Sequence, residues 1–253
     1  MTIKASGVTV QFGGVTALKD VSVTLERGRI LGVIGPNGSG KSTLFNAITG
    51  MVTPTAGSIA VDDVVIDELP PFQRIARGLA RTFQTPRFDP HVTVHEAVMC
   101  GFYPVHRTGF LSTMLRFPAS SLEERSFRER CDEILSEMRL AEFRNLRMSE
   151  LPMGRVRLVE VARALANDPK YILLDEPAAG LGRDEQEMLS AEVQRLARKG
   201  VGVLLVEHNF KLVRELVEHV VVLKEGKQLI EGTPEAVARD QAFIDIYLGS
   251  TGR

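Results

Sequence analysis

The stretch from Gly35 to Thr43 reads GPNGSGKST. Its G-x-x-x-x-G-K-[ST] spacing allows few architectures, because a strand must deliver the chain to a tight anion-holding loop and a helix must carry it away. The preceding residues meet the first demand: Ile30 to Ile34 form a short apolar run with β-branched members, as expected of a strand buried on both faces. Within the loop, Gly35, Gly38 and Gly40 let backbone N–H groups converge on a phosphate, while Pro36, Asn37, Ser39 and Thr43 complete the cradle. Lys41 supplies a point charge for the β- and γ-phosphates, and Ser42 offers its hydroxyl to Mg²⁺.

Composition bounds the rest. With 44% hydrophobic and 25% charged residues, 253 residues suffice for one large α/β unit or a core with an inserted lobe. The balance of 31 basic against 32 acidic residues gives no chain-wide attraction to nucleic acid or anionic lipid, so partners must be recognised locally. The opening MTIKASGVTV lacks the long apolar stretch of a signal peptide, and no run approaches the roughly 18 apolar residues of a spanning helix. The chain is therefore expected to stay in the cytosol. Cys100 and Cys131 lack CxxC or histidine company and are expected to be reduced, partly buried thiols.

Along the chain, VTVQFGG and VSVTLERG read as small strands leading into Ile30–Ile34. Between about Pro86 and Ala166 buried-strand runs are missing, and Leu122, Phe127, Ile134, Leu135 and Met138 follow helical spacing behind a capping box of Ser121 and Glu124. Strand patterns resume at YILLD (171–175) and VGVLLV (201–206), separated by a polar helix over Glu185 to Arg198. A helical lobe thus interrupts a parallel-sheet core. VVVLKEGKQLIEG predicts a hairpin turning at Glu225-Gly226, and Thr233-Pro234 begins a last helix.

Two acids end the strand YILLDEP, at the carboxyl edge of a parallel sheet where ligands bind. Asp175 suits the Mg²⁺ shell, and Glu176 suits orientation of an attacking water. His208, directly after the second buried strand, reaches the same edge and could donate a hydrogen bond to a γ-phosphate oxygen. Taken alone, His208 also fits a structural loop histidine, Gln84 a solvated surface residue and Phe12 a core residue.

The order Phe12, GPNGSGKST, Gln84, LPMGR, YILLDEP, AAGL and His208 resembles the ATPase subunits of ABC transporters across essentially the whole chain. The resemblance implies an α/β fold: a P-loop NTPase (RecA-like) parallel-sheet core of residues 1–85 and 167–253, with an N-terminal antiparallel β subdomain and an inserted α-helical subdomain of residues 86–166. It implies ATP and Mg²⁺ as ligands and Lys41, Glu176 and His208 as catalytic residues. Phe12 is implied to stack on adenine, and Gln84 to sense Mg²⁺ and the membrane partner, with Ser42, Gln84 and Asp175 serving the metal. Segments DEPAAGL (175–181), RTFQTPR (81–87), RTGFLSTMLRFP (107–118) and FIDIYLG (243–249) look like the branched-chain amino acid importer subfamily of LivG type. That implies a peripheral subunit on the cytoplasmic face of the inner membrane, with two transmembrane permease subunits, a solute-binding protein acting indirectly, and no nucleic acid.

One motif departs from the family pattern. The signature loop, usually L-S-x-G-Q, reads Leu151-Pro152-Met153-Gly154-Arg155. In the family this loop faces the γ-phosphate held by a partner ATPase, and Pro152 removes both a hydroxyl and an N–H. Gly154 still permits close backbone approach, and Arg155 could return some binding through its guanidinium. A second, different ATPase with an intact signature is therefore favoured over a homodimer. The resemblance also places Phe88, Val92, Val94, Val98, Met99 and Phe102 beside the permease, where they could line a groove or simply pack the lobe. Competing readings are a nucleotide-binding subunit with weak hydrolysis, a soluble non-transport ABC ATPase and a P-loop kinase.

Overall fold

The computed structural model describes residues 1–84, 86–105 and 118–247. In chain order its elements are β1 (Thr2–Phe12), β2 (Val15–Glu26), β3 (Ile30–Ile34), α1 (Lys41–Thr49), β4 (Ala56–Val61), β5 (Val64–Val65), α2 (Pro71–Ala76) and β6 (Leu79–Arg81). Then come α3 (Val94–Met99), α4 (Pro118–Glu137), α5 (Met153–Leu165), β7 (Tyr171–Asp175), α6 (Arg183–Arg198), β8 (Gly202–Val206) and α7 (Phe210–Leu216). The remainder is β9 (His219–Lys224), β10 (Lys227–Gly232), α8 (Pro234–Arg239) and α9 (Gln241–Tyr247). Packing separates two compact units: Met1–Arg81 with Lys170–Glu176 and Val193–Arg253, and Thr82–Pro169 with Pro177–Glu192.

The first unit holds both sheets. An antiparallel sheet runs β2-β1-β4-β5, and a six-stranded sheet runs β10-β9-β3-β8-β7-β6, parallel except where β10 returns against β9. Strands β3, β7 and β8 are buried at every position, which explains why each appears in sequence as an unbroken apolar run rather than an alternation. Glu225 and Gly226 both take positive φ, 50° and 75°, as the tight turn between β9 and β10 requires.

The second unit is helical. Here α4 begins at Pro118, so Ser121 lies inside the helix and is not its cap, and the side chain of Ser121 lies outside the described residues. Leu122 is exposed and leaves the expected apolar stripe, whereas Ile134, Leu135 and Met138 are buried and Phe127 stacks on Phe102 with ring centroids 4.9 Å apart. Val94, Val98 and Phe102 are buried in the core of this unit, which agrees with packing of the lobe. Pro118 alone of RTGFLSTMLRFP is described, and Thr85, Leu248 and Gly249 of the other quoted segments lie outside the described residues. The helix begun at Thr233 is not the last, because Asp240 adopts an extended conformation and α9 follows. Both cysteines are free thiols, Cys131 buried but Cys100 exposed rather than partly buried as expected, and no described helix is long and apolar enough to cross a membrane.

Arg74, only 1% exposed, anchors the helix that leaves the phosphate loop. Its Nη1 donates to the Ala47 and Ile48 carbonyls at 2.7 and 2.8 Å, its Nε to Leu69 O at 2.8 Å and its Nη2 to Asp67 O at 2.9 Å. The guanidinium thus serves the Ile48 carbonyl and adds to the Gly50 N–H that already reaches Ala47 O at 3.3 Å, in the last turn of α1 where carbonyls lack helical donors. Gly50 makes room, since a Cβ there would lie 2.7 Å from Arg74 Nε. Replacing Arg74 by Met should lower unfolding free energy by about 3 kcal/mol, seen as a lower urea midpoint; a loss under about 1 kcal/mol would refute this anchoring role.

Candidate functional site

The phosphate loop runs from the carboxyl end of β3 into α1, and the backbone around it leaves no room for side chains at two glycines. A Cβ on Gly35 would lie 2.2 Å from Leu223 O, and one on Gly40, whose φ is 104°, would lie 2.6 Å from Leu18 Cδ2 and 2.9 Å from Ala17 O. Backbone hydrogen bonds hold the loop in place: Gly226 N–H donates to Ser39 O at 3.0 Å, and Lys19 N–H donates to Gly226 O at 2.7 Å. Gly40 supplies no side-chain cap to α1, so the first N–H groups of that helix stay available for an anion. Ser39 Oγ is buried among the loop atoms without a hydrogen-bond partner.

Lys41 is buried, and its Nζ donates to Gly35 O at 2.8 Å and Pro36 O at 2.9 Å, which folds the ammonium back across its own loop. Burial pushes its pKa below the usual lysine value, and the Glu176 and Asp175 carboxylates pull it partly back. Asp175 ends β7 opposite Val206 of β8. Burial raises its carboxyl above the ordinary range; Glu176 adds to that rise, while Arg81 and, less, Lys41 oppose it.

Glu176 turns out of the strand through a left-handed conformation, φ 48°, yet its N–H still donates to Val206 O at 2.9 Å. Such a conformation costs a non-glycine residue on the order of 1 kcal/mol or more. It aims the side chain away from the strand alternation, and only a structure reveals it. His208 follows β8, and its Nδ1 lies 3.9 Å from both Glu176 Oε2 and Glu207 Oε2. Lys41, Asp175, Glu176 and His208 thus converge at one sheet edge. Phe12 lies at the end of β1 and is 53% exposed, so it is not the core residue its apolar character alone would indicate.

Among the described residues, no group of three or more His, Cys, Asp or Glu side chains could hold a metal unaided. The donors at hand, a carboxylate at Asp175 and a hydroxyl at Ser42, suit Mg²⁺, which fills most of its shell with water and substrate phosphate oxygens.

Gln84 and the LPMGR loop belong to the second unit. Gln84 is exposed, and the N–H of Phe83 before it donates to Glu160 Oε1 at 2.8 Å. Glu160 is buried on α5, 3.6 Å from Arg163 Nη2, and Arg163 in turn lies over the Phe88 ring at 4.6 Å. Glu160 was not singled out from sequence, although an acid flanked by Val159 and Val161 on a helix is a usable signal.

Pro152 is the N-cap position of α5 and makes no side-chain cap. Gly154 is buried, and a Cβ there would lie 2.5 Å from Glu185 Oε2. Arg155 is held within its own unit: Nε lies 3.3 Å from Glu185 Oε1, the guanidinium sits 5.0 Å from the Phe143 ring centroid, and Nη1 approaches Arg139 O at 3.5 Å. Glu185 also accepts the Gly182 N–H at 3.0 Å.

The family described as ABC transporter matches residues 18–179. The chain is 37% identical to the high-affinity branched-chain amino acid transport ATP-binding protein BraF of Pseudomonas aeruginosa, over 98% of this chain and 97% of that protein. It is 34% identical to LivG of Escherichia coli, which bears the same description, with the same coverage. Among solved structures, a nucleotide-free ATP-binding cassette from an ABC transporter superposes with a TM-score of 0.86 at 30% identity, covering 98% of this chain and 99% of that one.

Proposed function

The chain belongs to the ABC transporter family as an ATP-hydrolysing transport subunit, and from that premise we propose that it powers an importer for branched-chain amino acids. It would sit peripherally on the cytoplasmic face of the cell membrane against two permease subunits, with a solute-binding protein acting on their far side. The observation that carries the catalytic reading is the convergence of Lys41, Asp175, Glu176 and His208 where β3, β7 and β8 end beside the phosphate loop. The substrate assignment rests on relatives that span the chain end to end and are named for that solute.

In this reading the adenine stacks on the exposed ring of Phe12, and the triphosphate enters the loop from Gly35 to Thr43. Lys41 leaves the Gly35 and Pro36 carbonyls and takes phosphate oxygens in their place. Ser42 and Asp175 would hold Mg²⁺, which when bound neutralises charge on the phosphates. Glu176 orients and polarises the attacking water, and His208 donates to a γ-phosphate oxygen. Replacing Glu176 by Gln keeps its shape and removes the base, so kcat should fall by about 10²- to 10⁴-fold while ATP still binds; unchanged turnover would remove Glu176 from this role.

The signature loop supports an asymmetric pair of ATPases. Pro152 offers neither hydroxyl nor N–H, and Arg155, which could have compensated, is engaged by Glu185, Phe143 and the Arg139 carbonyl. A second ATPase with an intact signature would complete the nucleotide site built on Lys41 and Glu176 of this chain. A charge-assisted hydrogen bond to phosphate is worth roughly 1.5–3 kcal/mol, so Pro152→Ser should raise turnover of the assembled transporter several-fold; no change would show that this signature does not limit the cycle. Mass spectrometry of proteins that co-purify with the tagged chain from native membranes should recover two permeases and a second ATPase. Recovery of ribosomal or DNA-repair proteins without a membrane partner would overturn the transport assignment.

A further inference from the structure

Arg81 closes β6 beside β7, and its guanidinium joins two elements of the nucleotide site. Nη2 donates to Asp175 Oδ2 at 3.2 Å, while Nη1 donates to Asn46 Oδ1 at 2.6 Å and Thr49 Oγ1 at 3.1 Å. The guanidinium carbon also lies 5.6 Å from the centroid of the Phe45 ring. The Arg81 and Asp175 side chains are only 10% and 4% exposed, so little water separates or screens them. Phe45, Asn46 and Thr49 all lie on α1, the helix that Lys41 and Ser42 begin. One planar cation therefore fixes the carboxylate at the end of β7 against the helix that carries the phosphate-binding lysine.

We propose that Arg81 is a positioning residue for Mg²⁺, holding Asp175 in register with the helix of Ser42 so that both donors meet the metal on Mg-ATP. This deepens the assignment of Asp175 to the metal and rests on it. The arrangement needs a guanidinium, because a lysine ammonium retains the charge but cannot address Asp175, Asn46 and Thr49 from one rigid fork. Groups that orient metal ligands typically contribute about 10- to 100-fold to metal affinity.

The test uses the purified full chain and a fluorescent ATP analogue, with binding measured in EDTA and across a Mg²⁺ titration. Thermal unfolding of each variant is recorded alongside. Arg81→Gln should move the Mg²⁺ midpoint upward by about 10-fold or more, while analogue affinity in EDTA stays within about twofold of the parent. Arg81→Lys, which keeps the charge, should fall between the two and carries the test if Arg81→Gln does not fold. Midpoints equal to the parent's in folded Arg81 variants, whatever their thermal stability, would overturn the proposal and leave Arg81 a structural cation. Asp175→Asn separates the two claims. If it abolishes the Mg²⁺-dependent gain in affinity while the Arg81 variants titrate normally, only the positioning role fails. If it titrates like the parent, the metal assignment of Asp175 fails and the proposal with it.

Discussion

The close passage of the phosphate loop against the β9–β10 hairpin is the constraint on which the remaining site geometry depends. Gly35 lies where any Cβ would strike the Leu223 carbonyl, and Gly226 is hydrogen-bonded to Ser39 on one side and Lys19 on the other. A loop held this way needs no ligand to keep its shape, so its N–H groups are preorganised for an anion. It also fixes where α1 begins, and hence where Lys41 and Ser42 stand. Arg74 then secures the far end of the same helix, and Arg81 ties its middle to Asp175. Much of the unit's buried polar chemistry serves to hold one short helix still.

What could be read from sequence, and what could not, follows the range of the interactions concerned. Strands β3, β7 and β8 were legible almost to the residue because burial on both faces leaves a continuous apolar run that few other elements mimic. The hairpin turn at Glu225-Gly226 was legible because its backbone demands glycine. Arg74 and Arg81 were not, since each is a charged residue whose partners lie far along the chain or on backbone groups that leave no sequence trace. Leu122 misled for the converse reason: its spacing fits the stripe of α4, but the face it occupies is not covered. The left-handed turn at Glu176 was equally invisible, as nothing about a glutamate marks positive φ.

The signature loop shows how a substitution can be absorbed locally. Arg155 pairs with Glu185, whose other oxygen holds the Gly182 N–H and occupies the space a Cβ on Gly154 would need. Gly154 thus has an internal reason to be glycine, independent of any phosphate. The same carboxylate joins the start of α5 to the start of α6, so Arg155 contributes to the architecture of its unit. Its place in the motif is that of a fastening within the chain, and Pro152 beside it begins the helix without a polar cap.

The hairpin's grip on the phosphate loop has a consequence for how the protein is made. Residues 35 to 40 are braced by residues 223 to 226, about three-quarters of the chain later in synthesis. At about 5–20 residues per second, the cradle's sequence leaves the ribosome roughly ten seconds or more before its support exists. A nascent chain carries the full phosphate-binding motif long before it can hold nucleotide, and the competence to bind ATP arrives late, as a reward for completing the fold.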